Sequence, residues 1–144
     1  MEDEELIRDI ILEHYRDPRN KKKIEDSDCS CHGVNERCGD HLKMAIQLEE
    51  VLSIQIDPQG CAVSTASASI LAELLNGKDR KTLNDWLLKM DEVFEQKRTL
   101  NFEEEGEIAA IAHFASKSSR KNCAMLPWRM LEGFLHGKDR IHLR

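Results

Sequence analysis

The chain has 144 residues, 40% of them hydrophobic, which suits one folded domain with a real core and leaves little room for two. Against 27 Asp and Glu stand 21 Lys and Arg, a net charge of −6, which argues against non-specific nucleic-acid binding as the main task. No apolar run reaches bilayer length, and Met1-Glu2-Asp3-Glu4-Glu5 is acidic where a secretory or organelle signal is basic, so a cytoplasmic protein that does not engage membranes is expected.

Leu6, Ile7, Ile10, Ile11, His14 and Tyr15 recur at helical spacing, and Asp17-Pro18 stops them, so an amphipathic helix is predicted from about residue 3 to 16. Arg19 to Asp28 is charged and aperiodic and reads as a loop, and a short edge strand is expected between Cys29 and Arg37. From Cys38 the period becomes two. Leu42, Met44, Ile46 and Leu48 share one face, Leu52, Ile54 and Ile56 repeat it, and an antiparallel hairpin follows, with Glu49-Glu50 too poor as a two-residue turn to exclude a longer loop. Gly60-Cys61 opens a helix of small residues that ends at Gly77.

Leu83, Trp86, Leu87, Met90, Val93 and Phe94 mark a helix over about 81 to 97, with both Trp86 and Trp128 read as core residues. Asn101 to Gly106 reads as an acidic linker, Ile108, Ile111 and Phe114 as a short helix, and Ser116 to Ser119 as loop. A last helix is predicted from near Cys123 to His136, with Asn122 as its N-cap and a local distortion where Pro127 removes a hydrogen bond. The tail, residues 137–144, is expected to fray.

Five cysteines, an odd number, read in a reducing compartment as thiols or metal ligands and not as a disulfide framework. Cys61 lies at a helix start, where free N–H groups and the helix dipole favour thiolate; it is either a ligand or nucleophile, or an inert thiol of a tightly packed helix. Cys38 and Asp40 share parity with core-facing Leu42 and Met44, so thiol and carboxylate point toward the helices. A buried Asp needs a partner or a metal, unless it caps the turn after Gly39. Cys123 repeats the helix-start placement. Cys38, Asp40, Cys61 and Cys123 would together supply three sulfurs and one oxygen, a set that suits tetrahedral zinc or an iron–sulfur cluster.

His14-Tyr15-Arg16-Asp17-Pro18-Arg19-Asn20, Cys38-Gly39-Asp40, Gly60-Cys61 with its Ser/Ala-rich helix, and Cys123-Ala124-Met125-Leu126-Pro127-Trp128 resemble, in order, the U-type iron–sulfur cluster assembly scaffolds: IscU, SufU and NifU N-terminal-domain proteins. The resemblance implies an α+β fold, a small antiparallel sheet covered on one face by helices, with Cys38, Asp40, Cys61 and Cys123 meeting at the sheet end. It also implies a cysteine desulfurase as partner and downstream iron–sulfur acceptor or scaffold proteins as recipients. Asn122 replaces the His that precedes this cysteine in the IscU branch, the Leu-Pro-Pro-Val-Lys motif is missing, and an extra segment spans roughly Arg98 to Ser119, all of which is similar to the SufU branch. That likeness implies a zinc-dependent sulfur acceptor in which Cys38 leaves the metal to receive persulfide, while Asp40, Cys61 and Cys123 hold it.

Three thiolates and a carboxylate around a divalent ion carry excess negative charge, which Arg37, Lys43, Arg120 and Lys121 flank in sequence; Arg120 is also a candidate desulfurase contact. Cys29, Cys31 and His32 lie outside the family pattern and read as incidental, or with Cys38 as a local metal knuckle or redox pair. His41 is expected to face solvent. Two rivals remain open: a zinc-stabilised interaction module without cluster-building activity, and a thiol redox enzyme using Cys29 and Cys31.

Overall fold

The structure, a computed structural model, describes residues 2–117 and 119–144. In chain order it forms α1 (Glu2–Arg16), β1 (Cys31–Asn35), β2 (Asp40–Leu48), β3 (Leu52–Gln59), α2 (Ala62–Leu75), α3 (Arg80–Phe94), α4 (Phe102–Glu105), α5 (Ile108–Ala112), α6 (Lys121–Leu135) and β4 (Arg140–Leu143). The strands make one sheet in the order β3-β2-β1-β4.

The hydrophobic period of two sets the register. Met44 pairs with Ile56, Ile46 with Ile54 and Leu48 with Leu52, which leaves Glu49, Glu50 and Val51 as the loop. Leu42, Met44, Ile46, Leu52, Ile54 and Ile56 are all buried on the face that the helices cover. His41, Gln47, Ser53 and Gln55 alternate with them and face solvent on the other side, so the predicted one-sided α+β arrangement holds.

Helix α2 lies at the centre of the helical layer. Its small residues permit close approach on several sides: Ala66, Ser67, Ala68, Ser69, Leu71, Ala72 and Leu75 have no exposed surface. Ser67 Oγ donates to the carbonyl of Ala124 at 2.7 Å, joining α2 to α6. Leu71 and Leu75 each contribute about 1.5–3 kcal/mol by burial. The Asn76 amide pairs with both backbone groups of Ile54, at 2.7 and 3.1 Å, locking the end of α2 to β3. Gly77 and Gly137, both at φ +81°, stop α2 and α6, a conformation that favours glycine.

Several expectations are corrected. The tail does not fray: β4 pairs in parallel with β1, His32 to Arg140 and Asn35 to Leu143, and Ile141 reaches Gly133 on α6. In consequence β1 is an interior strand and not an edge strand. The acidic linker contains the one-turn helix α4, whose cap is the Asn101 side chain accepting the Glu104 N–H at 2.8 Å. Asn122 does not cap α6; Arg120 holds the cap position, and the Asn122 amide donates to the Arg144 carbonyl at 2.9 Å. Pro127 lies inside α6, as expected, and its missing N–H leaves the Cys123 carbonyl without the usual helical donor. Trp128 is buried as expected, whereas Trp86 is half-buried with the Lys89 ammonium 4.4 Å above its ring. Of the expected loop over 116–119, Ser118 lies outside the described residues.

Candidate metal centre

The turn between β1 and β2 ends on Gly39 at φ +69°, which places Cys38 at the rim and starts β2 on Asp40. Asn35 pairs with Asp40 across the strands. Both side chains are fully buried, facing the start of α2 and the first turn of α6. Asp40 Oδ1 accepts the backbone N–H of Cys61 at 2.8 Å, and Oδ2 accepts the Asn35 amide at 3.0 Å. The same amide donates to Cys123 Sγ at 3.3 Å. Cys61 is the N-cap of α2, its sulfur accepting the Ser64 N–H at 3.5 Å. A Cβ on Gly60 would lie 2.5 Å from Asp40 Oδ1 and 2.8 Å from Ser64 Oγ, so only glycine lets the strand pass the carboxylate here.

The ligating atoms of Cys38, Asp40 and Cys123 all lie within 4.8 Å of one another. Cys38 and Cys123 sulfurs are 3.2 Å apart, against about 3.8 Å for two sulfurs on one tetrahedral zinc with Zn–S bonds of about 2.3 Å. Cys61 stands outside this mutually close trio. Cys38, Asp40 and Cys123 thus fit a thiophilic divalent ion, which Cys61 would join by moving its side chain. Arg120 Nη1 donates to Cys38 Sγ at 3.6 Å, and Cys38 is only partly covered.

Proton affinities divide the group. The neighbouring Cys123 thiol, helped by the Ser64 N–H and opposed by burial, draws the Cys61 thiol down to about 6. Cys123, with Cys61 and Cys38 beside it and itself buried, is pushed up. Burial raises the Asp40 carboxyl, but the hydrogen bond from the Cys61 N–H, with that from the Asn35 amide and the polar Cys123 and Ser64 nearby, outweighs it and holds Asp40 below the ordinary carboxylate value. The site therefore keeps an anionic oxygen and a readily formed thiolate side by side.

Other expected neighbours go elsewhere. Lys43 does not flank the ligands: it points to the outer face of the sheet, 2.9 Å from Asp26. His41 is exposed there, its ring 6.0 Å from that of His32. Among the described residues, Cys29, Cys31 and His32 join no metal-ligating cluster; Cys31 is buried under the sheet, and Cys29 Sγ donates to its carbonyl at 3.2 Å. Asn35 escaped the sequence reading. Its signal was its place one hairpin turn before Cys38-Gly39-Asp40, opposite the aspartate.

Residues 6–122 match the NifU-like N-terminal domain model. The chain belongs to the NifU-like N-terminal domain family. As such it is an iron–sulfur cluster scaffold family member of the SufU/IscU kind. Over 129 residues it is 30% identical to the zinc-dependent sulfurtransferase SufU of Bacillus subtilis, covering 88% of this chain and 87% of that one. Over 131 residues it is 23% identical to the iron–sulfur cluster assembly scaffold protein IscU of Thermotoga maritima, covering 88% and 90%. The crystal structure of a NifU-like N-terminal protein from Brucella abortus shares the fold, with a TM-score of 0.73 at 14% identity over 88% of this chain and 90% of that one. No helix among the described residues of this family member is long and apolar enough to cross a membrane.

Proposed function

We propose that this protein accepts persulfide sulfur from a cysteine desulfurase on Cys38, and that Cys38, Asp40, Cys61 and Cys123 hold zinc at rest or a nascent iron–sulfur cluster as cargo. The observation that carries the reading is the graded exposure of the donors. Cys38 and Cys61 are both partly open, but only Cys38 lies beside the Arg120 guanidinium, at 3.6 Å, while Asp40 and Cys123 are sealed. The likeness to a zinc-dependent sulfurtransferase at 30% identity supports zinc as the resting ion.

Zinc, when bound, would keep the thiols deprotonated and the site closed until sulfur arrives. The rest follows from the side chains. Asp40 is a harder ligand than a fourth thiolate and holds a soft ion less tightly, so the set is suited to releasing Cys38. The Cys38 thiolate attacks the outer sulfur of the desulfurase persulfide. A new bond forms between Cys38 Sγ and that sulfur, the donor S–S bond breaks, and the desulfurase cysteine leaves with the electron pair. The persulfide proton stays on the transferred sulfur or is released to solvent, and no external oxidant or reductant is consumed. Arg120 shields the negative charge gathered at Cys38 and offers the desulfurase a cationic contact. Downstream iron–sulfur acceptor or scaffold proteins in the cytoplasm would receive the product.

The test is peptide mass spectrometry after the zinc-loaded protein meets a desulfurase and cysteine. The expected product carries one extra sulfur on Cys38. Sulfur on another cysteine, or none, overturns the assignment, and zinc retained without sulfur acceptance would make the protein a zinc-stabilised interaction module.

A further inference from the structure

We propose that His14, Glu73 and Glu107 form a second metal site, separate from the cysteine cluster, that takes a borderline divalent transition cation of the zinc or ferrous class. The three residues come from α1, α2 and the start of α5, and their ligating atoms all lie within 4.8 Å of one another.

The decisive group is His14, whose side chain has no exposed surface. Its Nδ1 lies 2.7 Å from Ser69 Oγ, which also accepts the Arg19 backbone N–H at 2.7 Å. A hydroxyl oxygen has two lone pairs and can accept both N–H groups. In the Nδ1–H tautomer that this acceptor admits, His14 is held as metal-bound histidines are held by a partner on the other nitrogen, and Nε2 presents a lone pair. Nε2 is 3.2 Å from Glu107 Oε1, yet the carboxylate lies off the line of a ring N–H bond. Among the described residues this buried nitrogen has no hydrogen-bond partner. A buried nitrogen without a partner is costly, and a cation between it and the carboxylates removes that cost.

Charge and reach agree. Arg19 bridges two acids, 2.9 Å from Glu13 and 3.4 Å from Glu73, so one guanidinium is shared between two carboxylates and neither contact reaches Glu107. Two ligands on a tetrahedral ion at about 2.0 Å stand about 3.3 Å apart, close to the His14–Glu107 separation already present. Glu73 and Glu107 side chains are 48% and 39% exposed and can close the remaining gap. One imidazole with two carboxylates favours a borderline transition ion over magnesium or calcium, and without sulfur it does not duplicate the preference of the cysteine cluster. Bound there, the ion ties α5 to α1 and α2.

The test is a Zn2+ titration of the full chain, first given one equivalent of zinc, followed by calorimetry and by long-range proton–nitrogen NMR of the His14 ring. The expected result is a second equivalent whose binding shifts Nε2 and fixes the Nδ1–H tautomer. Glu73→Gln and Glu107→Gln should each weaken it at least about tenfold, the smaller effect of losing a supporting partner. No response at His14 up to millimolar zinc, or undiminished binding in either variant, overturns the site. The His14 signal is read independently of the cysteines, so its failure leaves the sulfur-acceptor reading standing.

Discussion

The carboxylate of Asp40 accepts the backbone N–H of Cys61 at 2.8 Å, and through that bond the first residue of β2 holds the cap of α2. A single side chain thus positions one expected ligand while being another. The Asn35 amide, bonded to both Asp40 and Cys123, extends the same network to α6.

Asp40→Ala should therefore act even on metal-free protein. It leaves the Cys61 N–H without its acceptor and takes one of two from the Asn35 amide, which costs about 1–3 kcal/mol for a buried unsatisfied group. Urea unfolding of the metal-free variant measures this term, and zinc release to a chelator measures the ligand term separately. A variant that unfolds early yet releases zinc at the normal rate would make Asp40 a structural anchor only.

Gly60→Ala tests the same junction from the backbone side. The added Cβ meets Asp40 Oδ1 at 2.5 Å and Ser64 Oγ at 2.8 Å, and both atoms are already committed to the site. Overpacking of this kind costs about 1–3 kcal/mol. Chemical denaturation should show that loss, and elemental analysis should show less zinc per chain than in the unaltered protein.

Much of this arrangement was legible in the residues. Leu42, Met44 and Ile46 against Leu52, Ile54 and Ile56 fix both the hairpin and its buried face, because a slip of one residue would turn the three of the slipped strand outward. Asp40 inherits its inward direction from that parity, whereas Cys38 lies in the turn before β2, set apart from the strand by Gly39 at φ +69°. β4 was illegible because Arg140-Ile141-His142-Leu143 has only two apolar positions, and its pairing with β1 is set by contacts distant in sequence. Asn35 was hidden for a related reason: a single buried amide leaves no periodic trace, and its role exists only once Asp40 and Cys123 are brought beside it. Lys43 misled because proximity in sequence on a strand says nothing of face; it alternates away from Asp40 toward Asp26.

Arg120→Ala should slow sulfur acceptance by Cys38 on the order of tenfold, the equivalent of about 1.4 kcal/mol, while leaving zinc content unchanged. The guanidinium donates to Cys38 Sγ at 3.6 Å and belongs to no other ion pair among the described residues. Single-turnover persulfide transfer from the desulfurase gives the rate. Equal rates in the variant and the parent protein would remove Arg120 from the reaction.

Cys31 should behave as an inert thiol. Burial, reinforced by the negative charge of Cys29, pushes it up from 9.0 to about 11. The folded chain therefore keeps a proton that the unfolded chain loses. The associated stability is fully present below pH 9 and is lost as pH rises toward and through 11. Iodoacetamide at pH 8 should leave Cys31 unlabelled until the protein unfolds, as read by peptide mapping. The alkaline fall in urea midpoint between pH 8 and 10.5 should be shallower in Cys31→Ala. Rapid labelling of Cys31 in the folded protein would reopen a redox role for the Cys29 and Cys31 pair.

Truncation after Asp139 removes β4 and returns β1 to the edge of the sheet. The Glu36 N–H loses the Leu143 carbonyl it holds at 2.9 Å, and Gly133 loses the Ile141 side chain seated against it. A few backbone bonds at about 1 kcal/mol each and one partly buried isoleucine give a loss of about 2–4 kcal/mol. Asn122 also loses the Arg144 carbonyl, so the start of α6 and with it Cys123 become less fixed. The truncated chain should therefore unfold at lower urea and hold zinc less firmly. It should also self-associate with rising concentration in sedimentation, because an uncovered β1 offers unpaired N–H and C=O groups to another chain. A truncated chain that is as stable and as monomeric as the parent would mean that β4 only lies along the sheet without sealing it.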